Sequence, residues 1–526
     1  MLAAKGIETL AELSAFQAEQ RGEATAFICQ DQSVSYVQVD HFANQIANGL
    51  LAEGVHSQAR IALLNKDSIA GYALLFGCAK AKAVLIGINW RLTSQEILYI
   101  LNQGQAEVVF VGAEFMPVLE QIRGELASVR KIIVLGEVHT QWPSFSNWLE
   151  QFPPTAPQLT YSADDIVVQM YTSGTTGHPK GVQLPNYSFF RLMAGIRAQG
   201  DTWMGLTAED VLLVALPQFH MGGLWWVVQG FMVGAVHVLM PVFIAWQALE
   251  LIAKHHITQV EMVPAMLQTA LDEPACETTD LASVRGFLYG GSPMVPTLLR
   301  RAMSVFQCGF YQIYGMTETG NMAVCLRPGD HFPIDSPRLM SAGRALPGVE
   351  ILVIDATGQS LPARELGEVC LKSPANMLGY WQNEEANQNL FTQEGFIRTG
   401  DVGYLDEDGY LFICDRIKDM IICAGENIYP AEVEAVLHEH PAVADAAVIG
   451  IPDERWGETV KAIVVLRPGE VLKQRELINF TRGRIADYKM PKAVEFVDAL
   501  PRNPSGKVLK RVLREPYWRV QERQVN

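Results

Sequence analysis

"YTSGTTGHPKGV", residues 171–182, follows the apolar run "DDIVVQM" and holds three glycines, four small hydroxyl residues and one lysine. A β-branched run that stops at such a loop reads as the end of a strand. Glycine lets backbone N–H groups close on a bulky anion and adopt positive φ. Thr172, Ser173, Thr175 and Thr176 add hydroxyl donors, and Lys180 adds a point charge suited to phosphate. Together they can cradle a polyphosphate as backbone nests do. The Walker spacing G-x-x-x-x-G-K-[ST] is absent. Here Gly174, Gly177, Lys180 and Gly181 stand in the order G-x-x-G-x-x-K-G. A flexible Gly/Thr hairpin is the bland alternative, but a plain turn seldom gathers so many donors beside a lysine.

Outward from this loop, β-branched runs alternate with longer helical patterns. "IVVQMY", "DVLLVAL", "TQVEMVP", "VRGFLYGG" and "GFYQIYG" read as strands, with helices expected over 186–198, capped by Asn186, and over 294–306. This order predicts an α/β class: a large N-terminal domain of several α/β subdomains, with layered sheets and helices. Glycines fall where strands end, at Gly290, Gly291 and Gly315. Ligands in such folds sit at those carboxyl ends. Beyond residue 415 the pattern becomes helix, strand, strand, helix, strand, a compact α+β domain that the family resemblance described below makes a mobile one. The expected domains are 1–416 and 417–526.

The chain has 526 residues, 49% hydrophobic and 19% charged, with a net charge of −16. That balance argues against a general binder of nucleic acid or of anionic membranes. Residues 481–526 carry 11 Lys and Arg against 5 Asp and Glu, so a basic tail closes an acidic protein. It suits a local anion, or else a solvated helix. Eight scattered cysteines form no C-x-x-C pair, which with the absence of a leader pattern at Met1 reads as reduced thiols in a cytoplasmic protein. The segment "LWWVVQGFMVGAVHVLM", 224–240, contains Gln229 and His237 and falls short of the ~20 apolar residues of a membrane span. A buried helix is expected, with peripheral contact at the inner face of a membrane left open, as is a homodimer.

Three further stretches carry chemistry. In "YQIYGMTETG" Glu318 follows Thr317 beyond a strand and a glycine. A carboxylate near a triphosphate serves Mg²⁺, although T-E pairs also cap helices. In "RTGDVGYLDEDGYLFICDRIKD" Asp401 follows a Thr-Gly turn and can accept both hydroxyls of a ribose, while Arg416 offers a planar fork. The same stretch reads as a hairpin turning at "LDEDGYL", and both readings hold together. In "LPRNPSGKVLKR" Lys507 sits on a Pro/Ser/Gly-rich loop before a basic helix, where a lysine can reach a site and neutralise developing charge.

Taken in order, these stretches resemble the adenylate-forming superfamily: acyl- and aryl-CoA synthetases, firefly luciferase and the adenylation domains of peptide synthetases. "ALPQFHMGG", "LYGGSPM", "MLGYW", "DRIKDMIICAGENIYPAEVE" and "GIPDERWGE" extend the likeness over nearly the whole chain. "DRIKDMI" and "GENIYPAEVE" look most like the fatty acid–CoA ligases.

The resemblance implies two half-reactions. A hydrophobic carboxylic acid and ATP·Mg²⁺ give acyl-AMP and pyrophosphate, and the thiol of CoA then displaces AMP. An aryl acid of the 4-coumarate kind, or another acceptor, is the alternative. By match, Thr172, Ser173, Gly174, Thr175, Thr176, Gly177 and Lys180 hold the β- and γ-phosphates. Thr172 and Glu318 stand near the metal, and Thr317 meets the α-phosphate. Gly290, Gly291, Ser292, Pro293, Gln312 and Tyr314 line the adenine and acyl pockets, and Asp401 and Arg416 bind ribose. Lys507 bridges the reacting carboxylate and the α-phosphate. Lys418 lies at the hinge about which the small domain swings to bring Gly425 to a pantetheine tunnel. Trp456, Tyr488, Lys489 and Lys492 match positions that face CoA in some relatives.

His220 matches a pocket-wall position beside the acyl carboxylate, as a wall or gate more than as a proton carrier. Leu224, Trp225 and Trp226 offer either an apolar pocket or packing core. Two departures stand out. Ile313 occurs where relatives often carry glycine and should narrow the pocket, and Ile422 occurs where some carry lysine. His438 and His440, two apart on a helix, point in different directions and are discounted as metal ligands. Acyl-AMP ligases that load carrier proteins typically carry an insertion after the main domain, and none is evident between 401 and 418.

Overall fold

The structure is a computed structural model that describes residues 6–136, 141–172, 179–292, 294–333, 336–423, 426–453, 457–503 and 506–518. Two large sheets form its body. One has seven strands, in the order Gly379–Tyr380, Lys180–Pro185, Ile166–Thr172, Val84–Ile88, Arg60–Leu64, Ala106–Gly112, Lys131–Leu135. The other has nine, running Arg344–Ala345, Val324–Leu326, Gly309–Tyr314, Gly286–Gly290, Gln259–Glu261, Val211–Val214, Val236–Leu239, Thr25–Cys29, Gln32–Ser35. The central strands of both are parallel and apolar on both faces, so each sheet must be covered twice.

Side-chain alternation shows how. Ile61 and Leu63 enter the core between the sheets, while Ala62 and Leu64 enter an outer core under helices Ser94–Gln103 and Met116–Ile122. On the other sheet Leu212 and Val214 face the same middle layer. Leu213 and Ala215 face a second outer core under Ala245–His255, Pro264–Asp272 and Pro296–Phe306. The layers therefore run helix, sheet, helix, sheet, helix, as the alternating sequence predicts.

The middle layer contains Tyr36–Ala52, Ile69–Lys80 and Met221–Val233. The last begins the apolar segment that sequence length argued against as a span. It ends at Gly234, whose φ of +82° makes the left-handed cap, and strand Val236–Leu239 follows. Among the described residues no helix is long and apolar enough to cross a membrane.

Of the two readings of Trp225 and Trp226, packing core is the one observed. Both are buried; the Trp226 indole donates to the Leu213 carbonyl at 3.0 Å, and Trp225 meets Trp203 edge-on. Gly230 serves close approach, since a Cβ there would lie 2.4 Å from the His237 ring. Asn186 does not cap its helix. Its side chain accepts from the Leu10 amide at 2.9 Å and donates to the Ser162 carbonyl at 3.0 Å, tying the first helix to Tyr187–Ala198. Tertiary partners have displaced the local cap.

A four-stranded antiparallel sheet follows: Glu350–Ile354, Gly367–Lys372, Ile397–Leu405, Leu411–Arg416. Its last two strands are the expected hairpin, with Asp401 paired to Arg416. A 3₁₀ turn, Ile417–Asp419, leads into the final five-stranded sheet, made by Ile421–Cys423, Glu426–Ile428, Val443–Asp453, Gly457–Leu466 and Ala493–Phe496. Helices Pro430–His438, Gln474–Thr481 and Lys510–Trp518 accompany it, with cores of their own. The chain is thus a large layered α/β body with a small α+β unit at its carboxyl end.

Candidate active site

Strands Ile166–Thr172 and Lys180–Pro185 form a hairpin whose last register pair is Thr172 with Lys180. These two residues stand at its mouth. Ser173, Gly174, Thr175, Thr176 and Gly177 lie outside the described residues, as do Pro293, Gly425 and Trp456. At the mouth the Tyr380 hydroxyl donates to Glu318 Oε1 at 2.8 Å, and the Thr172 hydroxyl reaches the same oxygen at 3.5 Å. Lys180 Nζ lies 5.1 Å from the centre of the Tyr380 ring. Glu318 is buried on the 3₁₀ turn Thr317–Thr319, and its carbonyl accepts from Met377 N at 2.8 Å. Burial, then the charge of Glu318, push the Tyr380 phenol up, so it stays a donor.

Two parts of this cluster were not singled out from sequence. Tyr380 lies in the quoted "MLGYW", but nothing local says that its ring joins Lys180 to Glu318. Behind the hairpin, the Tyr171 hydroxyl bonds the Gln103 side chain, and Gln103 and Trp381 exchange two hydrogen bonds, at 3.0 and 3.1 Å. Arg60 stacks on Trp381 at 3.5 Å. The strand that carries the loop is thereby fixed to helix Ser94–Gln103, hundreds of residues from Trp381 in sequence.

A second cluster forms where the nine-stranded sheet meets the Ile397–Arg416 hairpin. Asp401 is buried; its carboxylate accepts from the Tyr314 hydroxyl at 2.7 Å and pairs with Arg416 Nε at 3.0 Å. The Asp401 amide donates to Thr399 Oγ1 at 3.1 Å, which fixes the loop. A carboxylate has about four lone-pair directions, so these partners leave acceptor capacity for a ligand. Burial, and then Asp401, hold the Tyr314 phenol protonated.

Between the clusters run Gly290, Gly291 and Ser292. A Cβ at Gly290 would lie 2.6 Å from the Ile313 carbonyl and 2.8 Å from its side chain, so Ile313 packs directly against Gly290. Gly291 has φ +77°, a conformation that other residues adopt only with strain. Gln312 Oε1 accepts from the Tyr289 hydroxyl at 3.2 Å, and that hydroxyl also meets His331 Nε2 at 3.0 Å. His220 precedes helix Met221–Val233 as its cap residue, and burial lowers its pKa, so the imidazole is neutral.

The Lys507 loop reaches the same place from the small unit. A Cβ at Gly506 would lie 3.1 Å from Ala265 Cβ and 3.5 Å from Val263 Cγ2, and Val263 Cγ1 is also the nearest atom to Gly291. Lys507 and Asn503 close the loop with reciprocal bonds, Lys507 N to Asn503 Oδ1 and Asn503 N to Lys507 O, each 2.8 Å. One turn on, Lys510 pairs with Glu434 at 2.9 Å and approaches Asp415 at 3.9 Å. Asp415 in turn accepts from Ala431 N at 2.8 Å. This ion cluster joins the loop's helix to the segment before the 3₁₀ turn and was not legible in the sequence.

The residues matched to CoA contacts are not gathered in this way. Tyr488 and Lys492 are exposed, whereas Lys489 is held by both oxygens of Glu432, at 2.7 and 2.8 Å. Arg484 pairs with Glu439 and Arg502 with Asp445. Part of the tail's positive charge is therefore met by carboxylates within the fold. Of Lys418, only the backbone is described, in the turn Ile417–Asp419.

Comparison with known proteins follows the same division. The family model described as "AMP-binding enzyme" matches residues 15–381, and "AMP-binding enzyme C-terminal domain" matches 432–507. The chain is 44% identical over 521 residues to the fatty acid–[acyl-carrier-protein] ligase ScoC of Streptomyces coeruleorubidus, covering 99% of this chain and 98% of that one. It is 36% identical over 493 residues to the long-chain-fatty-acid–CoA ligase FadD13 of Mycobacterium tuberculosis, covering 93% and 94%. Among solved structures, the anthranilate CoA ligase AuaEII in complex with anthranoyl-AMP superposes with a TM-score of 0.89 at 30% identity, over 97% of each chain.

Proposed function

The chain belongs to the AMP-binding enzymes, the adenylate-forming superfamily, and from that premise we propose that it joins a hydrophobic carboxylic acid to the thiol of CoA. The family's use of ATP fixes the chemistry of the first step. A carboxylate oxygen attacks the α-phosphorus, the bond to the β-phosphate oxygen breaks, and pyrophosphate leaves. In the second step a thiolate attacks the acyl carbonyl and AMP departs with the bonding electrons.

The observation that supports the assignment of roles is that the Lys507 loop, from the small unit, packs on Val263 and Ala265 beside Gly291 of the large body, which also holds the Glu318–Thr172 and Asp401–Arg416 pairs. In this reading Asp401 holds the ribose. Lys507 meets charge that builds between the carboxylate and the α-phosphate, where a preorganised cation acts most strongly. Lys180 and Thr172 clamp the departing pyrophosphate. His220, being neutral, acts as a wall.

Glu318 suits Mg²⁺ that arrives on the triphosphate. Among the described residues no group of three or more His, Cys, Asp or Glu side chains is arranged to hold a metal ion. Magnesium, however, commonly takes one or two carboxylates and completes its shell with phosphate and water. When bound, the metal would neutralise phosphate charge, and Glu318 and Thr172 would hold it. We place the domain boundary at 416/417, so that the 3₁₀ turn with Lys418 acts as the hinge and exchanges Lys507 for Gly425 between steps.

A carrier protein bearing phosphopantetheine is the second reading of the acceptor. Two observations favour it: the 44% identity to an acyl-carrier-protein ligase, and Lys489 already paired with Glu432. The test is AMP release with ATP and Mg²⁺ over C2–C18 and aryl acids, with CoA or a holo carrier protein as acceptor. Thioester on CoA supports the first reading and thioester on the carrier alone the second. No acid-dependent AMP in any combination contradicts both.

A further inference from the structure

We propose that Glu261 is a specificity-determining residue of the acyl pocket, and that the acid substrate carries a neutral hydrogen-bonding substituent, a hydroxyl or an oxo group, on its chain. This rests on the ligase reading above and narrows its substrate class. Glu261 ends strand Gln259–Glu261 in the nine-stranded sheet. Its side chain is 4% exposed, and its Oε2 has no hydrogen-bond partner. Native structures seldom leave such a group orphaned, and those that do call for an explanation.

Position supplies one. Val263, two residues on, touches Gly291 and the Lys507 loop. Alternation along an extended backbone puts Glu261 on the same face as Val263, about 7 Å back along the chain. Its Oε1 lies 3.5 Å from where a Cβ at Gly222 would be, and Gly222 follows His220 by two residues. Gly222 thus presents no side chain to the carboxyl. A cavity of about 130 Å³ opens at the ends of the neighbouring strands, lined by Ala215, Pro217, Met240, Phe243 and Met266 with Asp67 and Arg91.

The chemistry of the group selects the ligand. Burial alone pushes the Glu261 carboxyl well above the usual carboxylate range, so it is neutral. A protonated carboxyl both donates and accepts. A saturated hydrocarbon would leave it without a partner, and that loss discriminates strongly against an acid lacking the substituent. Leu224, Trp225 and Trp226 are packing core and do not meet this group.

The test compares kcat/KM for AMP release with a saturated acid and its hydroxy, oxo and amino derivatives of equal length, in the full-length enzyme. The wild type should favour the hydroxy or oxo acid by on the order of 100-fold. Glu261→Gln should keep that preference, since an amide also donates and accepts, and Glu261→Leu should invert it toward the saturated acid. A wild type that prefers the saturated acid, or a ratio unmoved by Glu261→Leu, overturns the proposal. A preference for the amino acid derivative that Glu261→Gln abolishes overturns it too, in favour of an ion pair. Where Glu261→Leu fails to fold, the wild-type and Glu261→Gln ratios decide. Turnover without discrimination refutes only this inference, whereas no AMP with any acid refutes the ligase reading beneath it.

Discussion

At the scale of single residues, Asp67 shows how burial sets a charge. It lies just before helix Ile69–Lys80, 5% exposed, and accepts from the Tyr72 hydroxyl at 3.0 Å and from Gln218 N at 2.9 Å. Desolvation outweighs these bonds and pushes its pKa up to about 7. The folded state therefore holds a proton that the unfolded state has released between about pH 4 and pH 7. Stability is fully expressed below that window and falls as pH rises through it, by on the order of 4 kcal/mol. Asp67→Asn keeps an acceptor for both donors and removes the titration. Melting temperatures across pH 4–8 should fall in the wild type and stay nearly flat in the variant; parallel curves would contradict this. Nothing in "NKDS" announces the effect, because desolvation is imposed by the sheets packed around it.

At the scale of elements, the Ile397–Leu405 and Leu411–Arg416 hairpin does two things that its sequence suggested separately. Its register sets Asp401 opposite Arg416, so a structural pairing also builds the proposed ribose subsite. Asp401→Ala would leave the Tyr314 hydroxyl and the Arg416 guanidinium without their carboxylate. It should cost about 1–3 kcal/mol in stability and raise KM for ATP by roughly tenfold to a hundredfold. Thermal melts and ATP titrations of acid-dependent AMP release check both, and an unchanged KM would remove Asp401 from the nucleotide site. The alternation of strands and helices was legible because period-2 and period-3.6 patterns are local. The role of Asn186 was not: a cap is also local, but the Leu10 amide that took its oxygen comes from another helix.

At the scale of the whole molecule, Lys507 comes from one part of the chain and every other candidate group described at the site from the other. Its loop rests on Val263 and Ala265, and the Lys510–Glu434–Asp415 cluster ties the following helix to the end of the large body. Lys507→Ala should abolish formation of acyl-AMP while sparing thioester formation from supplied acyl-AMP. Measuring pyrophosphate exchange and thioester yield separately tests this, and equal loss of both would contradict the bridging role. The sequence by itself determined the layered α/β class, the small α+β unit and the order of the reactive stretches, because periodicity, turns and motif spacing are properties of neighbouring residues. Only the tertiary structure decided that Tyr380 bridges Lys180 and Glu318, that Trp225 and Trp226 are core, that Lys489 is already paired, and that Glu261 is buried without a partner. Those outcomes depend on which distant groups meet and on how much water is excluded where they do, and no local pattern of residues encodes either.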